Sequence, residues 1–343
     1  MNTGAPGAAS TRPPLVGLGM PVFNGARFLA ATLESILAQT LTDFELVICD
    51  NASTDATGEI CRHYAATDAR IRHVRNAANL GAHPNYNRCF RLSRGRYFKW
   101  TPHDDVLAPD YLAHCVGALE ANPRAVLCQS QLHFIDAQGA TLGICGTDLH
   151  GAQAAGAAER FAAAVLRAHN SYDMQGVFRR EALERSGLLG SFHGADRALV
   201  AGMTLLGPFL HVPLPLLQVR DHSGRYTRAM VDPRARASWH DTRLRSRWSF
   251  PTWRLYRTHV RQVLHAPLTS GERSRCLLAL LAWWFANWNA ARAAIDVVGA
   301  FAPEAVGFAQ RLKQSFSPAP GIDRARARRK RSPGNPPTTG QET

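Results

Sequence analysis

The stretch KWTPHDDVLAPD, residues 99–110, places two adjacent carboxylates directly after an aromatic segment. The aromatic residues at 96–100 favour a strand, and Pro109 is a residue that often begins a helix. Asp104 and Asp105 are therefore expected at the carboxyl end of a strand, where open α/β sheets bind their ligands. A divalent cation or a hydrogen-bonding sugar would relieve the repulsion between the two anions. The alternative is a solvated acidic turn that caps the next helix.

Strand and helix signals alternate on both sides of this stretch. Apolar runs predict strands at 15–20, 44–49, 71–75 and 96–100. Apolar residues at helical spacing predict helices at 26–39, from after Asp55 to Ala66, at 84–92 and at 110–121. This alternation with short connections predicts an α/β fold, in which helices cover both faces of a mostly parallel sheet.

The second half of the chain continues with shorter elements. The predictions there are a strand at 125–130, a hairpin turn at 136–139, a loop at 143–156 and a helix near 161–168. Further strands are predicted at 176–178, 210–212 and 216–219, with helices after Glu181 and Asp196. From Arg236 onward the chain becomes helical, basic and rich in tryptophan.

The formal net charge of the chain is +14, and six basic residues lie in the segment from Arg324 to Arg331. The rest of the chain is also basic. Such a charge suits an anionic substrate, a nucleic acid or an anionic membrane surface, and charge alone does not choose among them. Composition predicts a disordered leader at 1–14 and a disordered basic tail at 317–343. Between them we expect a main domain at 15–230 and a helical C-terminal extension at 231–316.

The seven cysteines are scattered and odd in number, and they contain no Cys-x-x-Cys pair. We expect buried free thiols in a reducing compartment rather than disulfides or a zinc site. Residues 1–14 lack the apolar core of a signal peptide, and no apolar run reaches the ~18–20 residues of a membrane span. The sequence therefore predicts a cytoplasmic protein.

Four motifs follow one another in a definite order. PVFN at 21–24 follows the first strand, DNASTD at 50–55 follows the second, NLG at 79–81 precedes a helix, and HDD at 103–105 follows the aromatic strand. Together they resemble the family 2 glycosyltransferases over about residues 15–225. The resemblance implies a GT-A fold with a Rossmann-like sheet. It also implies an inverting transfer of a sugar from a nucleotide-diphospho-sugar, with a UDP-sugar favoured.

The resemblance assigns the first two motifs to the nucleotide. Pro21, Phe23 and Asn24 would line the nucleotide cleft, and Asp50 would accept a hydrogen bond from the base. Each motif also has a simpler interpretation. The segment 50–55 is rich in residues that cap helices, and an Asn-Gly pair is typical of a turn.

The acidic pair and a later loop are assigned to the diphosphate and its metal. Asp104 would face the ribose or the donor sugar, and Asp105 would bind Mn²⁺ or Mg²⁺. Some members of the family bring a histidine to the metal in an Arg-x-His setting, and Arg220 and His222 match that pattern. His222 would then be a metal ligand, with Arg220 or Arg225 holding the diphosphate, whereas the alternative for His222 is a surface-loop histidine.

The general base is expected where a helix begins in the second half. The family often has Glu-Asp there, but this chain has Ala195 in place of the glutamate. Asp196 remains, and it is the candidate to deprotonate the acceptor hydroxyl. The alternative is an aspartate that only caps the helix.

The C-terminal third suggests contact with a membrane. The apolar segment 277–288 contains Trp283 and Trp284, is flanked by arginines, and is too short to span a bilayer. It suits either a helix at a membrane interface or a helix packed on the main domain. Together with the basic tail it predicts peripheral association with an anionic membrane, although a solvated tail is the simpler interpretation of that segment.

Three other functions are weighed against a glycosyltransferase. A dinucleotide oxidoreductase needs Gly-x-Gly-x-x-Gly after the first strand, but Gly17 and Gly19 lie inside that strand. A nucleotidyltransferase needs a first loop rich in glycine and arginine, and this loop has only Gly25 and Arg27. A nucleic-acid-binding protein needs a recognition module, and none is visible. The expected partners are a nucleotide-sugar donor and a glycan or lipid-linked acceptor of cell-surface polysaccharide or glycoconjugate synthesis.

Overall fold

The computed structural model describes residues 12–225, 239–244 and 250–301. Most of the predicted leader, the residues just after Arg236, and the tail at 317–343 lie outside the described residues. The domain boundaries proposed from the sequence therefore stay a prediction.

The first half of the chain alternates strand and helix as predicted. Its elements are β1 (Val16–Val22), α1 (Ala26–Leu37), β2 (Phe44–Asp50), α2 (Thr57–Thr67), β3 (Ile71–Arg75), α3 (Ala82–Leu92) and β4 (Tyr97–Trp100). The strands are parallel in the order β3-β2-β1-β4. Their carboxyl ends therefore meet at one edge of the sheet, where the four motifs follow them.

The second half extends the same sheet and adds helices. Its elements are β5 (Val106–Leu107), α4 (Tyr111–Ala121), β6 (Leu127–Ile135), β7 (Thr141–Cys145), α5 (Ala157–Leu166), β8 (Val177–Arg179), α6 (Arg180–Arg185), α7 (Ala195–Leu206), β9 (Phe209–Arg220), α8 (Pro251–His265), α9 (Ser270–Trp283) and α10 (Asn289–Phe301). The full order is β3-β2-β1-β4-β8-β6-β9-β5, with β7 paired to β6. Because β8 and β5 run antiparallel to their neighbours, the sheet is mixed but mostly parallel, which confirms the predicted fold class.

Alternate residues of the central strands enter two cores on opposite faces of the sheet. On β2, Leu46 and Ile48 pack in the core beneath α1, α2 and α4, while Val47 and Cys49 pack in the core beneath α3, α5 and α7. This period of two is the geometric consequence of strand pleating. Both faces of the strand are apolar because helices cover both sides.

The two glycines of β1 serve packing rather than cofactor binding. A Cβ added to Gly19 would lie 2.8 Å from the Cβ of Cys89 on α3, and one added to Gly17 would lie 3.0 Å from the Cβ of Ser93. Glycine at both positions therefore lets α3 pack closely on the sheet. This contact explains the Gly-x-Gly pattern without a dinucleotide.

Several predictions for the second half were wrong in detail. The segment 143–156 was expected to be a loop, but its start belongs to β7, which pairs with β6 across the confirmed turn at 136–139. The two strands expected at 210–212 and 216–219 form the single long strand β9. The short strand β5 was missed, because two residues give no period.

The C-terminal helices pack on the main domain. α8 lies against α7, and α9 lies against α5 and α8. Cys276, Leu280 and Trp283 of α9 are buried in the core beneath those helices. Six of the seven cysteines are buried free thiols, as expected. Among the helices of the described residues, none combines the length and the apolar character that crossing a bilayer needs.

Replacement of Gly95 by alanine should destabilise the protein severely. A Cβ there would lie 2.0 Å from the backbone nitrogen of Gly17 and 2.5 Å from the carbonyl carbon of Val16. We expect the free energy of unfolding to fall by about 3 kcal/mol, measured by urea denaturation. Gly117→Ala is the matched control, because its Cβ meets nothing within 4 Å on α4 and should stabilise the protein by up to ~1 kcal/mol. Equal stability of the two variants would contradict this packing.

Candidate active site

A cavity of about 1040 Å³ lies at the carboxyl ends of β1, β4 and β9. It is lined by eight of the ten predicted site residues: Pro21, Phe23, Asn24, Asp104, Asp105, Asp196, His222 and Arg225. Asp50 and Arg220 are not among its lining residues. The sheet topology thus brings together motifs that are as much as 204 residues apart in sequence, from Pro21 to Arg225.

The loop after β1 is bonded to the loop after β2. The backbone N–H of Asn24 donates to Ser53 Oγ at 3.0 Å, and Asn24 Oδ1 accepts from the backbone N–H of Thr54 at 2.8 Å. Asp55 and Thr57 accept hydrogen bonds from the backbone at the start of α1. Asn24 has a φ of 50°, a conformation that asparagine tolerates better than most residues. These bonds explain why turn and capping residues recur in both motifs.

Asp50 lies behind this loop instead of in the cavity. Its carboxylate is fully buried, accepts from the backbone N–H of Ser53 at 2.8 Å, and forms an ion pair with Arg75. Burial raises the pKa of Asp50, but the hydrogen bonds from Ser53 and Arg75 outweigh it and hold the pKa below its usual range. These partners give Asp50 a structural task, and its contact with a base stays a prediction.

A network of asparagine side chains lines the cavity beside Asp50. The amide of Asn51 donates to Asn79 Oδ1 at 2.9 Å, and Asn76 donates to Asn51 and Asn85 at 2.8 and 2.9 Å. Asn51, Asn79 and Asn85 all reach the cavity wall. Asn51 and Asn79 lay in motifs that were recognised, although neither was given a role. Asn85 was missed, because the sequence predicted only a helix over 84–92.

Asp104 faces the cavity together with His222. Oδ2 of Asp104 and Nε2 of His222 are 2.9 Å apart. Burial raises the pKa of Asp104. The hydrogen bond to His222 and the charges of His103 and Arg225 lower it by more than burial raises it, so the pKa lies below its usual range and the carboxyl is held ionised. The ring of His222 packs on Phe28 with centroids 4.8 Å apart. Asp104 and His222 are therefore paired in the fold although they are 118 positions apart in the sequence.

Asp105 lines the same cavity but has different partners from Asp104. Its Oδ1 accepts from the backbone N–H of Arg220 at 3.0 Å, and its Oδ2 accepts from Gln175 at 3.1 Å. Burial and the nearby charge of Asp104 raise the pKa of Asp105 to about 6. With both oxygens engaged by protein donors, Asp105 is placed to hold β9 and the residues around Gln175 in position.

Arg220 also serves this junction. Its guanidinium donates to the carbonyl oxygens of Asp104 and Asp136 at 3.1 and 3.2 Å, and it lies 4.9 Å from the centre of the Phe28 ring. These contacts engage the guanidinium of Arg220, which is not among the residues that line the cavity. Arg225 does line the cavity. Burial lowers the pKa of Arg225, but the charges of Asp105 and Asp104 raise it by more, so the guanidinium stays charged.

A buried lysine lies beneath the acidic pair, and the sequence did not single it out. Lys99 on β4 is fully buried and donates to the backbone carbonyl of Gln175 and to Tyr111 Oη. Burial lowers the pKa of Lys99 to about 8, against the opposing influence of Asp105. The signal in the sequence that could have identified Lys99 was a lysine within a strand of aromatic residues.

Asp196 lies in the first turn of α7 and lines the cavity. Beside it on the cavity wall are Trp239 and Thr242, from the described segment 239–244. Gly81, with a φ of 86°, allows this segment to approach α3, because a Cβ there would lie 2.7 Å from the Cα of Asp241.

Three histidines fasten the same segment. Nδ1 of His240 lies 3.0 Å from Nε2 of His83, and Nε2 of His240 lies 3.3 Å from Nδ1 of His193. Thr242 Oγ1 donates to the carbonyl oxygen of Asn79 at 3.1 Å, and the backbone N–H of Thr242 donates to the carbonyl oxygen of Leu80 at 3.4 Å. Trp239 of this segment lines the same cavity as Asp196.

The side chains at the cavity offer few ligands for a divalent metal. Within the described ranges, no group of three or more histidine, cysteine or carboxylate side chains could hold an ion. Asp104 and His222 nevertheless offer one oxygen and one nitrogen donor at the cavity. Mg²⁺ commonly takes one or two protein ligands and completes its shell with phosphate and water. The pair fits such a two-ligand site. Asp105 also lines the cavity, and each of its oxygens accepts one hydrogen bond from the protein.

The sequence is similar to known glycosyltransferases. Residues 18–184, just under half of the chain, match the family model described as glycosyl transferase family 2. The chain is 33% identical to the chondroitin synthase of Escherichia coli over 132 residues, which is 38% of this chain and 19% of that protein. It is 37% identical over 108 residues to the putative glycosyltransferase EpsE of Bacillus subtilis, 31% of this chain and 39% of that protein.

The matched segment is shorter than these relatives, spanning less than half of the length of each. Two solved structures share the fold. TarS 1-349 of S. aureus in complex with UDP-GlcNAc has a TM-score of 0.58 at 15% identity, covering 79% of this chain and 72% of that one. The mannosyltransferase PcManGT of Pyrobaculum calidifontis, in complex with GDP-Man and Mn²⁺, has a TM-score of 0.51 at 20% identity, covering 90% and 82%. The fold is GT-A-like, and the matches together support a role in glycosyl transfer.

Replacement of Lys99 by methionine should change how stability depends on pH. Its pKa is about 8 in the folded protein and near 10.4 in an unfolded chain. Between these values the unfolded chain binds more protons, so the stability of the native protein rises with pH. We expect the free energy of unfolding of the wild type to rise by ~2 kcal/mol relative to Lys99→Met between pH 7.5 and 10. Parallel curves from urea denaturation would contradict a buried ammonium at this position.

Proposed function

We propose that the protein is an inverting, metal-dependent glycosyltransferase that uses a nucleotide-diphospho-sugar donor. The observation that carries the proposal is the cavity itself. It combines an ionised Asp104 paired with His222, a cationic Arg225, and a second carboxylate, Asp196, at the start of a helix. An oxidoreductase is not favoured, because the glycines of β1 are used in packing.

The donor nucleotide is assigned to the wall formed after β1 and β2. Phe23 is 44% exposed although it lines the cavity, so its ring is available to a nucleobase. The side chains of Asn51 and Asn79 add polar groups beside it. Arg27 and Arg225 supply the positive charge that a diphosphate requires. We favour a UDP-sugar, as predicted, and the complexes of similar folds with UDP-GlcNAc and GDP-Man are consistent with a donor of this class.

Asp104 and His222 would hold the divalent ion, Mn²⁺ or Mg²⁺. This assignment differs from the sequence prediction, which gave the ion to Asp105 and the ribose or sugar to Asp104. The charge that develops on the leaving nucleoside diphosphate would be neutralised by such an ion. Asp105 and Arg220 would keep Asp104 in place, since the backbone N–H of Arg220 donates to Asp105 and the guanidinium of Arg220 donates to the carbonyl oxygen of Asp104.

Asp196 is proposed as the general base. It would accept the proton of the acceptor hydroxyl while the acceptor oxygen forms a bond to the anomeric carbon. The bond from that carbon to the diphosphate oxygen breaks in the same step, and attack from the opposite face inverts the configuration. Asp196 is suited to this task because it lines the same cavity as the Asp104–His222 pair.

The acceptor is proposed to be a glycan or a lipid-linked sugar of polysaccharide or glycoconjugate synthesis. Trp239 and Tyr172 line the cavity that contains Asp196, and aromatic rings offer sugar rings a flat apolar surface. The predicted cytoplasmic location, at the inner face of a membrane, stays a proposal that depends on the C-terminal helices.

The reaction class can be tested with a panel of UDP-, GDP- and TDP-sugars, each with Mn²⁺. The proposal expects release of a nucleoside diphosphate from one class of donor, and loss of that release when the ion is chelated. Release of pyrophosphate, or reduction of a nicotinamide cofactor, would assign the protein to another class.

Replacement of Asp196 by asparagine separates chemistry from binding. Turnover should fall by ~10²-fold or more, while the affinity for the donor stays within a few-fold, because only the proton acceptor is lost. Asp110→Asn is the matched control, since Asp110 is likewise an aspartate at the start of a helix but lies outside the cavity lining. If Asp196→Asn abolishes donor binding but leaves the turnover of bound donor unchanged, the residue is structural and the assigned role is wrong.

A further inference from the structure

Helix α10 has its polar and apolar sides reversed. Asn289 and Asp296 are buried, where Asn289 donates to the carbonyl of Trp283 at 2.9 Å and Asp296 accepts from the backbone N–H of Thr252 at 2.7 Å. The large apolar residues of the helix face outward instead, and they are Ile295, Val297, Val298 and Phe301. A surface helix of a water-soluble domain normally has the opposite arrangement.

The end of α9 and the turn that follows also expose large apolar side chains. Leu278 and Leu281 are 62% and 61% exposed, Phe285 is 90% exposed, and Trp288 is 81% exposed. Leu278 and Leu281 are three residues apart on α9, which places them on one side of the helix, and Phe285 follows in the turn. We call the surface formed by these four residues with Ile295, Val298 and Phe301 the apolar face.

The turn between α9 and α10 holds this surface in a fixed conformation. The backbone N–H of Ala290 donates to the carbonyl of Trp284 at 3.0 Å. Trp288 has a φ of 61°, which is unfavourable for a bulky side chain. Because its ring is exposed, packing within the chain does not compensate for that conformation. A strained backbone that presents a tryptophan outward is expected where the side chain meets a partner.

The charges of the C-terminal helices select the kind of partner. Residues 250–301 contain six arginines but only two acidic residues, Glu272 and Asp296. Asp296 is buried, which leaves Glu272 as the one acidic side chain at the surface of this segment. The exposed charge of these helices is therefore positive. A second copy of the chain would bring arginines against arginines, whereas an anionic surface would attract them.

We propose that the apolar face inserts into the interface of an anionic lipid bilayer. Aromatic rings with surrounding arginines are the side chains that suit the boundary between headgroups and acyl chains. The sequence pointed to Trp283 and Trp284 in the same segment, but Trp283 is only 2% exposed and packs on Tyr256 with ring centroids 5.3 Å apart. The membrane contact is thus made by the opposite side of α9.

The position of the apolar face also suits the proposed acceptor. α9 and α10 pack on α8, and α8 packs on α7, whose first turn carries Asp196 into the cavity. A bilayer held by these helices would lie on the side of the chain that supports the candidate base. The proposed membrane contact itself does not depend on the glycosyltransferase assignment.

Co-sedimentation of the full chain with vesicles tests the proposal. The vesicles contain equal parts of phosphatidylcholine and phosphatidylglycerol, and pure phosphatidylcholine vesicles are the reference. The triple variant Leu281→Ser, Phe285→Ser, Trp288→Ser should reduce binding to the anionic vesicles by about tenfold or more, because it removes apolar surface that would enter the interface. Its fold is checked by its melting temperature, which should be unchanged because all three side chains are exposed.

The matched control replaces two exposed apolar residues outside the apolar face. Ile144→Ser with Leu214→Ser, at positions 57% and 41% exposed, should sediment like the wild type. Equal sedimentation of the triple variant and the wild type would overturn the proposal and leave the basic tail as the source of binding. Absence of wild-type binding would also overturn it. In that case, a dimer that dissociates in the triple variant would assign the apolar face to a second copy.

Discussion

The buried carboxylate of Asp105 is the contact on which the arrangement of the site depends. It accepts a hydrogen bond from the backbone of Arg220 at the end of β9 and another from the side chain of Gln175. Burying a carboxylate is costly unless its oxygens are bonded, and these two donors meet that requirement. Three parts of the chain are joined there, and Asp104 is directed into the cavity as a result.

Lys99 and Arg220 extend this junction. Lys99 bonds to the backbone of Gln175, and the Arg220 guanidinium bonds to the backbone of Asp104. Both cations therefore fix backbone carbonyl groups around the acidic pair, and the charges of Arg225 and Lys99 act against the repulsion between the two neighbouring carboxylates. The geometry of Asp104 and His222 is a consequence of this buried framework.

The sequence was most informative where local patterns decide structure. The strands and helices of the first half follow from apolar periodicity, and β3 begins and ends at the predicted residues. The roles within the acidic pair were harder to predict, because two adjacent residues after a strand point in different directions. Sequence alone does not tell which carboxylate pairs with His222 and which accepts from Arg220 and Gln175. It offered Arg220 or Arg225 for the diphosphate, and it did not tell that the guanidinium of Arg220 donates to the carbonyl oxygens of Asp104 and Asp136. Trp239 was missed because long-range packing alone brings it to the cavity.

The central claim is that Asp104 and His222 form the metal-binding pair of a nucleotide-sugar site. Its most direct test is the affinity for Mn²⁺ in the presence of UDP or GDP, measured from the electron paramagnetic resonance signal of free Mn²⁺. Asp104→Asn and His222→Gln should each weaken Mn²⁺ binding by about tenfold or more, and Asp110→Asn should leave it unchanged. Wild-type affinity in Asp104→Asn would contradict the assignment of the ion to this pair.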